Sequence, residues 1–288
     1  MQPKSAVMLR VLLNKYCKGT PESFLSCLPN EETQQVLATD IRSEDPSPVF
    51  KTPFEKIEAI HPSWFAPILS KLPTEAQSLL LHSLPEGHAL RLGRTLKTRM
   101  EVGRLSEPIK FFLAGKLYQT LVGESEPLPK AFLPPVNLEP LIDLKKDELV
   151  ELVEFLGLHD LGENLRQILN QKILQRVYAC LSPREQQYLK FCLQQKEKVA
   201  APPLGLERWS GDCEKLKNTL QTRGIIRLGK ALSGVHPDFA HHIAYTFDAG
   251  RGQTLLRYRS PNPQPGITPA LAQQVLSLLN ILKKKSAA

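Results

Sequence analysis

The stretch "GIIRLGKA", residues 224–231, comes nearest to a known chemical device. It almost spells the phosphate-cradling pattern G-x-x-x-x-G-K-[ST]. Ala231, however, stands where a hydroxyl would hold magnesium, the residues between the glycines are bulky, and the preceding "CEKLKNTLQTRG" reads as helix rather than strand. A phosphate loop is therefore set aside. Gly224 is read instead as a helix stop, with Ile225, Ile226, Leu228 and Leu232 forming the buried face of a following helix. Metal chemistry finds no better footing. His241 and His242 are adjacent, so on a helix they diverge, and no H-x-x-x-H spacing occurs, which leaves surface or helix-capping roles. The five cysteines, Cys17, Cys27, Cys180, Cys192 and Cys213, are odd in number, widely spread and without a C-x-x-C pair, a pattern that predicts reduced, mostly buried thiols. No G-x-S-x-G, H-E-x-x-H or paired-carboxylate constellation appears. The expectation is a protein that is not an enzyme, with no catalytic residues, no cofactor and no metal.

What remains are residues suited to binding. "IHPSWFAPILSKLPTEAQSLLLHSLPEG", residues 60–87, sets Trp64 and Phe65 behind the His61-Pro62 start and ahead of two Leu-Pro breaks. Its Ile68, Leu69, Leu72, Ala76, Leu79, Leu80 and Leu84 describe a helical hairpin, and Pro67 requires the first helix to kink or to begin late. Packing accounts for most of the stretch; Trp64 and Phe65 are candidate interface anchors, and His61 and Pro62 are candidate protein-binding residues beside them. A second candidate surface is basic. The net charge is +8, and the last 82 residues carry twelve basic against five acidic side chains. Arg223, Arg227, Lys230, Arg251, Arg257 and Arg259 suit an acidic protein partner or the headgroups of a membrane. Nucleic acid is the alternative ligand, with Arg91, Arg94, Lys97 and Arg104 joining these bases, but aromatic residues are not interleaved with them.

The elements that would position these residues are helices. Hydrophobic residues make up 42% of the 288, enough for packed cores in one large or two to three small domains. The stretch "AVMLRVLL" is interrupted by Arg10 and followed by Asn14, Lys15 and Lys18, which predicts neither a signal peptide nor a spanning helix; the expected location is cytoplasmic. Proline-rich stretches at 43–53, 126–140 and 260–269 are read as linkers or seams. They separate an N-terminal helical segment at 1–44, a helical domain at 54–125 and a C-terminal helical domain at 138–288. Leu149, Leu152, Val153 and Leu156 share one helix face, and Leu165, Ile168, Leu169, Lys172, Ile173 and Val177 continue on the next segment. Only "GQTLLRYRS", residues 252–260, suggests a strand. A phrase of helix-start chemistry recurs at Cys27, Lys71 and Cys180. Thr74 with Gln77 and Ser182 with Glu185 fit the capping box, and the first two copies lie 44 residues apart, within the period of armadillo units.

Residues 60–86 resemble the middle domain of the flagellar rotor switch protein FliG, whose armadillo-type repeat has the same His-Pro core, order of apolar positions and closing Leu-Pro-Glu. Residues 153–190 are similar to that family's C-terminal helices. The resemblance departs where the family carries its charged stator-facing cluster, since Gly162, Glu163 and Asn164 stand there, and no Gly-Gly-Pro-Gly loop occurs between Gly123 and Pro140. In size, in helical character and in residues 224–252 the chain is similar to SctK, the adaptor that takes the rotor protein's place in type III secretion sorting platforms. The resemblance implies an all-α, multi-helix scaffold with FliG-like repeats, located at the cytoplasmic face of the inner membrane. It also implies two partners: the cytoplasmic domain of the inner-membrane ring protein, and the pod, or C-ring-like, protein that carries the ATPase.

Overall fold

The computed structural model describes residues 1, 3–17, 21–39, 45–98, 105–123, 126–195 and 199–286. The protein is all-α, and no strand occurs among the described residues. Its helices are α1 (Pro3–Tyr16), α2 (Pro21–Leu25), α3 (Asn30–Ala38), α4 (Pro53–Glu58), α5 (Ala66–Leu69), α6 (Thr74–His82), α7 (Glu86–Leu96) and α8 (Glu107–Val122). They continue with α9 (Lys146–Leu165), α10 (Gln171–Cys180), α11 (Pro183–Gln194), α12 (Cys213–Ala231), α13 (Pro237–Thr246), α14 (Ala249–Tyr258) and α15 (Ile267–Ser286). Two compact units result. One comprises Met1–Pro135 with Tyr245–Ala249, and the other Val136–Ala244 with Gly250–Ala288.

In the first unit, α4, α6, α7 and α8 surround a core of Ile57, Phe65, Leu69, Leu81, Leu92 and Leu117, while α1 and α3 enclose a smaller cluster of Ala6, Leu13, Leu25 and Val36. Prolines decide where these short helices begin. Thr52 caps α4 in a full capping box with Glu55, ahead of Pro53. Pro67 sits at the second position of α5, so that helix begins late and a 3-10 turn, Pro62–Trp64, precedes it. Thr74 does not cap α6. Pro73 takes the cap position, Thr74 is the first helical residue, and Gln77 turns its amide to the Leu72 carbonyl at 2.8 Å. The expected box at Ser182 and Glu185 does form.

In the second unit α9 is the axis, packed by α11, α12 and α15. The face expected from Leu149, Leu152, Val153 and Leu156 is buried, and so are Phe155, Leu158 and Leu161, so α9 is covered all round rather than along one stripe. It ends at Leu165; a turn follows, Leu169 stands 95% exposed, and Asn170 caps α10 by accepting from the Lys172 amide at 3.0 Å. The expected continuous face from Leu165 to Val177 is thus broken. Two further expectations are corrected. Residues 252–258 are helical within α14, since Leu255 is buried at helical rather than alternating spacing. Gly224 does not end a helix but lies inside α12, where a Cβ would stand 1.8 Å from the Val153 carbonyl oxygen; Gly157 likewise would meet the Leu220 oxygen at 2.2 Å. These glycines are required for contact between two helix backbones, not for a left-handed cap. The proline-rich 126–140 stretch is packed as well, with Leu128, Phe132, Leu133 and Leu138 buried.

Candidate functional site

The His-Pro segment is placed by the proline that starts its 3-10 turn. His61 caps that turn, its Nδ1 accepting from the Ser63 amide at 3.3 Å and lying 2.8 Å from the Ser63 hydroxyl oxygen. The hydroxyl oxygen in turn accepts from the Ala249 amide at 2.8 Å, and the His61 amide donates to the Tyr245 carbonyl at 2.7 Å. Trp64 completes the set. Its indole N–H donates to the Phe247 carbonyl at 3.0 Å, and its ring meets Tyr245 edge-on with centroids 5.1 Å apart. His61, Ser63 and Trp64 therefore clamp Tyr245–Ala249 into the first unit. Phe65 is fully buried and Pro62 is buried, so neither presents a surface to a partner, which corrects their reading as contact residues. His61 and Trp64 keep partial exposure.

Much of the expected basic surface turns inward. Arg227 is 3% exposed; its Nε lies 2.5 Å from Asp160 Oδ1 and its Nη1 donates to Gln274 Oε1 at 2.9 Å, joining α12, α9 and α15. Arg223 stands 4.0 Å from the same carboxylate and donates to the Pro203 carbonyl at 3.4 Å. Arg251 donates to Gln221 at 2.7 Å, and Gln221 donates to Glu154 at 2.8 Å. Arg259 donates to the Val235 carbonyl, and burial lowers its guanidinium pKa. Arg227 is thus a core residue rather than a docking residue, because an arginine centred between buried Ile225 and Leu228 needs an internal carboxylate. Arg257 is exposed and Lys230 partly so. Arg91, Arg94 and Lys97 are exposed near the end of α7, where Lys97 caps in the left-handed region at φ 55°. Arg104 lies outside the described residues.

Two features escaped sequence reasoning. Asp160 is one; a lone acid inside "FLGLHDLG" opposite a lone base inside "GIIRLG" signals a buried pair once these two stretches of α9 and α12 are known to be buried. The other is α8, which is anchored by buried Ala114 and Leu117 yet leaves Ile109, Phe111 and Phe112 exposed, at 48%, 49% and 60%. Lys116 Nζ lies 5.9 Å from the Phe112 ring centroid, and Phe111 meets Phe54 edge-on with centroids 6.2 Å apart. Helix α8 is apolar on more than the face its core uses, and such a surface suits protein contact. The cysteines also depart from expectation: Cys180 and Cys213 form a disulfide, because α10 ends and α12 begins with their Cα atoms 5.1 Å apart, while Cys17, Cys27 and Cys192 stand outside it. Among the described residues no three His, Cys, Asp or Glu side chains gather as a metal site would require, and no helix is long and apolar enough to cross a membrane. Comparison with protein-family models, curated proteins and solved structures finds nothing that matches this chain.

Proposed function

We propose that the chain is a non-catalytic adaptor of a type III secretion sorting platform, linking the cytoplasmic domain of the inner-membrane ring protein to the pod protein that carries the ATPase. The observation that carries this reading is the exposure of Ile109, Phe111 and Phe112 around the solvent side of α8, apolar side chains suited to contact on an all-helical scaffold. The resemblance of residues 60–86, 153–190 and 224–252 to FliG and SctK supplies the identity of the partners. The FliG-like repeat belongs to the same proposal. In this reading α8 takes the pod protein, and Lys230 and Arg257 face the acidic surface of the ring domain close to the membrane. The nucleic-acid alternative has less support, since Arg223, Arg227 and Arg251 are engaged internally.

Size-exclusion chromatography with light scattering, using the purified ring domain and pod protein of the same secretion system, tests this. Each should form a complex with the chain. F111S/F112S should abolish the pod complex while leaving the melting temperature within a few degrees, and K230E/R257E should weaken the ring complex, more so at low salt. Absence of both complexes for the unaltered chain would overturn the proposal.

A further inference from the structure

We infer that the Cys180–Cys213 bridge is a reversible redox staple, opened by an external dithiol at Cys213, and that it holds α10 and the 199–212 strap on the α9–α12 core. The two cysteines are unequal in access. Cys180 is 7% exposed at the end of α10, whereas Cys213 is exposed as the first residue of α12. An attacking thiolate reaches the second and not the first.

The elements joined by the bridge have few other ties. Helix α10 buries only Val177 and Cys180, with Gln171, Lys172, Gln175, Arg176 and Ala179 exposed. Along the strap only Val199 and Leu206 are buried. Asn164 holds it by accepting from the Leu204 amide at 2.7 Å and donating to the Pro202 carbonyl at 3.3 Å, and Arg223 holds Pro203. From Gly205 onward, among the described residues, the ties are the Leu206 side chain, local bonds from the Arg208 and Trp209 amides, one from the Trp209 indole to the Asp212 carbonyl at 3.1 Å, and the bridge. The α9 core beneath, with Leu152, Leu156 and Leu161 at 0% exposure, is packed by α11, α12 and α15. Opening the bridge is therefore a local event, releasing a sparsely buried part of the unit.

The exchange balances with a dithiol as reductant. Its first thiolate attacks Cys213 Sγ, the Sγ–Sγ bond breaks, and the electron pair leaves on Cys180 Sγ, which takes a proton. The reductant's second thiolate then attacks its own sulfur in the mixed disulfide and releases Cys213 as a thiolate, which is protonated in turn. Two electrons and two protons pass to the protein, and the dithiol becomes a cyclic disulfide.

The full chain, poised in mixtures of reduced and oxidised dithiothreitol and then alkylated and mapped by mass spectrometry, tests the inference. At the oxidising end Cys180 and Cys213 should resist alkylation while exposed Cys27 reacts throughout. As the mixture becomes reducing, the pair should become labelled together, while Cys192, buried against Gly162, stays protected. Trypsin cleavage after Arg176 and Arg208 should rise at least about tenfold over the same transition, since the staple no longer restrains the segment. C180S/C213S should show the faster cleavage at every poise. Alkylation of the pair at the oxidising end, labelling of Cys192 together with it, or cleavage indifferent to poise would each overturn the inference.

Discussion

Asp160 and Arg227 lie in the buried C-terminal halves of α9 and α12, with side chains 5% and 4% exposed, and each is tolerable there because of the other. Two charges removed from water recover the cost through close contact and through further hydrogen bonds, which Gln274 supplies to the guanidinium. Removing Asp160 leaves Arg227 buried without its counter-charge, whereas removing Arg227 leaves Asp160 with the more distant Arg223 at 4.0 Å. D160N should therefore lower unfolding stability by about 3–5 kcal/mol in denaturant titration, and R227M by less. The double variant D160L/R227M should lose much less than the sum, because neither charge then remains. Purely additive losses would mean that the pair is not coupled.

At the scale of elements, the α9–α12 contact is governed by Gly157 and Gly224. Each lies where a Cβ would enter the neighbouring backbone, against the Leu220 and Val153 carbonyls respectively, and a backbone cannot move aside as a side-chain tip does. G224A should therefore force the helices apart and cost about 3 kcal/mol, at the upper end of ordinary overpacking. G87A in α7 is the control, since nothing lies within 4 Å of its new methyl. That change should be neutral or stabilising by up to about 1 kcal/mol, the usual gain of alanine over glycine in a helix. Chemical denaturation of both variants separates the two behaviours.

For the whole molecule, the alkaline limb of stability combines a global and a local effect. With a pI near 9.2, the surplus positive charge disappears as the pH approaches that value, and self-repulsion is relieved. Tyr118 then acts in the opposite direction. Burial, followed by the neighbouring Glu126 carboxylate that accepts its hydrogen bond at 3.2 Å, pushes the phenol well above its ordinary 10.0. Lys56, 2.7 Å from that carboxylate, holds it in place. The folded phenol therefore ionises at higher pH than the unfolded one. Stability tied to the neutral group is complete below pH 10 and is lost as the pH rises above it. Melting temperature should fall more steeply above that pH in the unaltered protein than in Y118F.

The all-helical class was legible because its signals are local: apolar residues at helical spacing, prolines that start and stop helices, and the Ser182–Glu185 box, all set by a few neighbouring residues. Pro67 announced a late helix start for the same reason, through its own missing amide. What tertiary structure decided is which of two locally equivalent roles a residue takes. Gly224 satisfies a helix end as well as a helix crossing, and only the approach of Val153 selects the crossing. Residues 252–258 satisfy a strand or a helix, and burial of Leu255 selects the helix. Arg227 reads as surface charge until Asp160, 67 residues earlier in the chain, faces it across a closed core. Cys180 and Cys213, 33 residues apart, are paired only because α10 and α12 bring them together. In each case the deciding partner is distant in sequence, so spacing along the chain carries no trace of the energy that makes the choice.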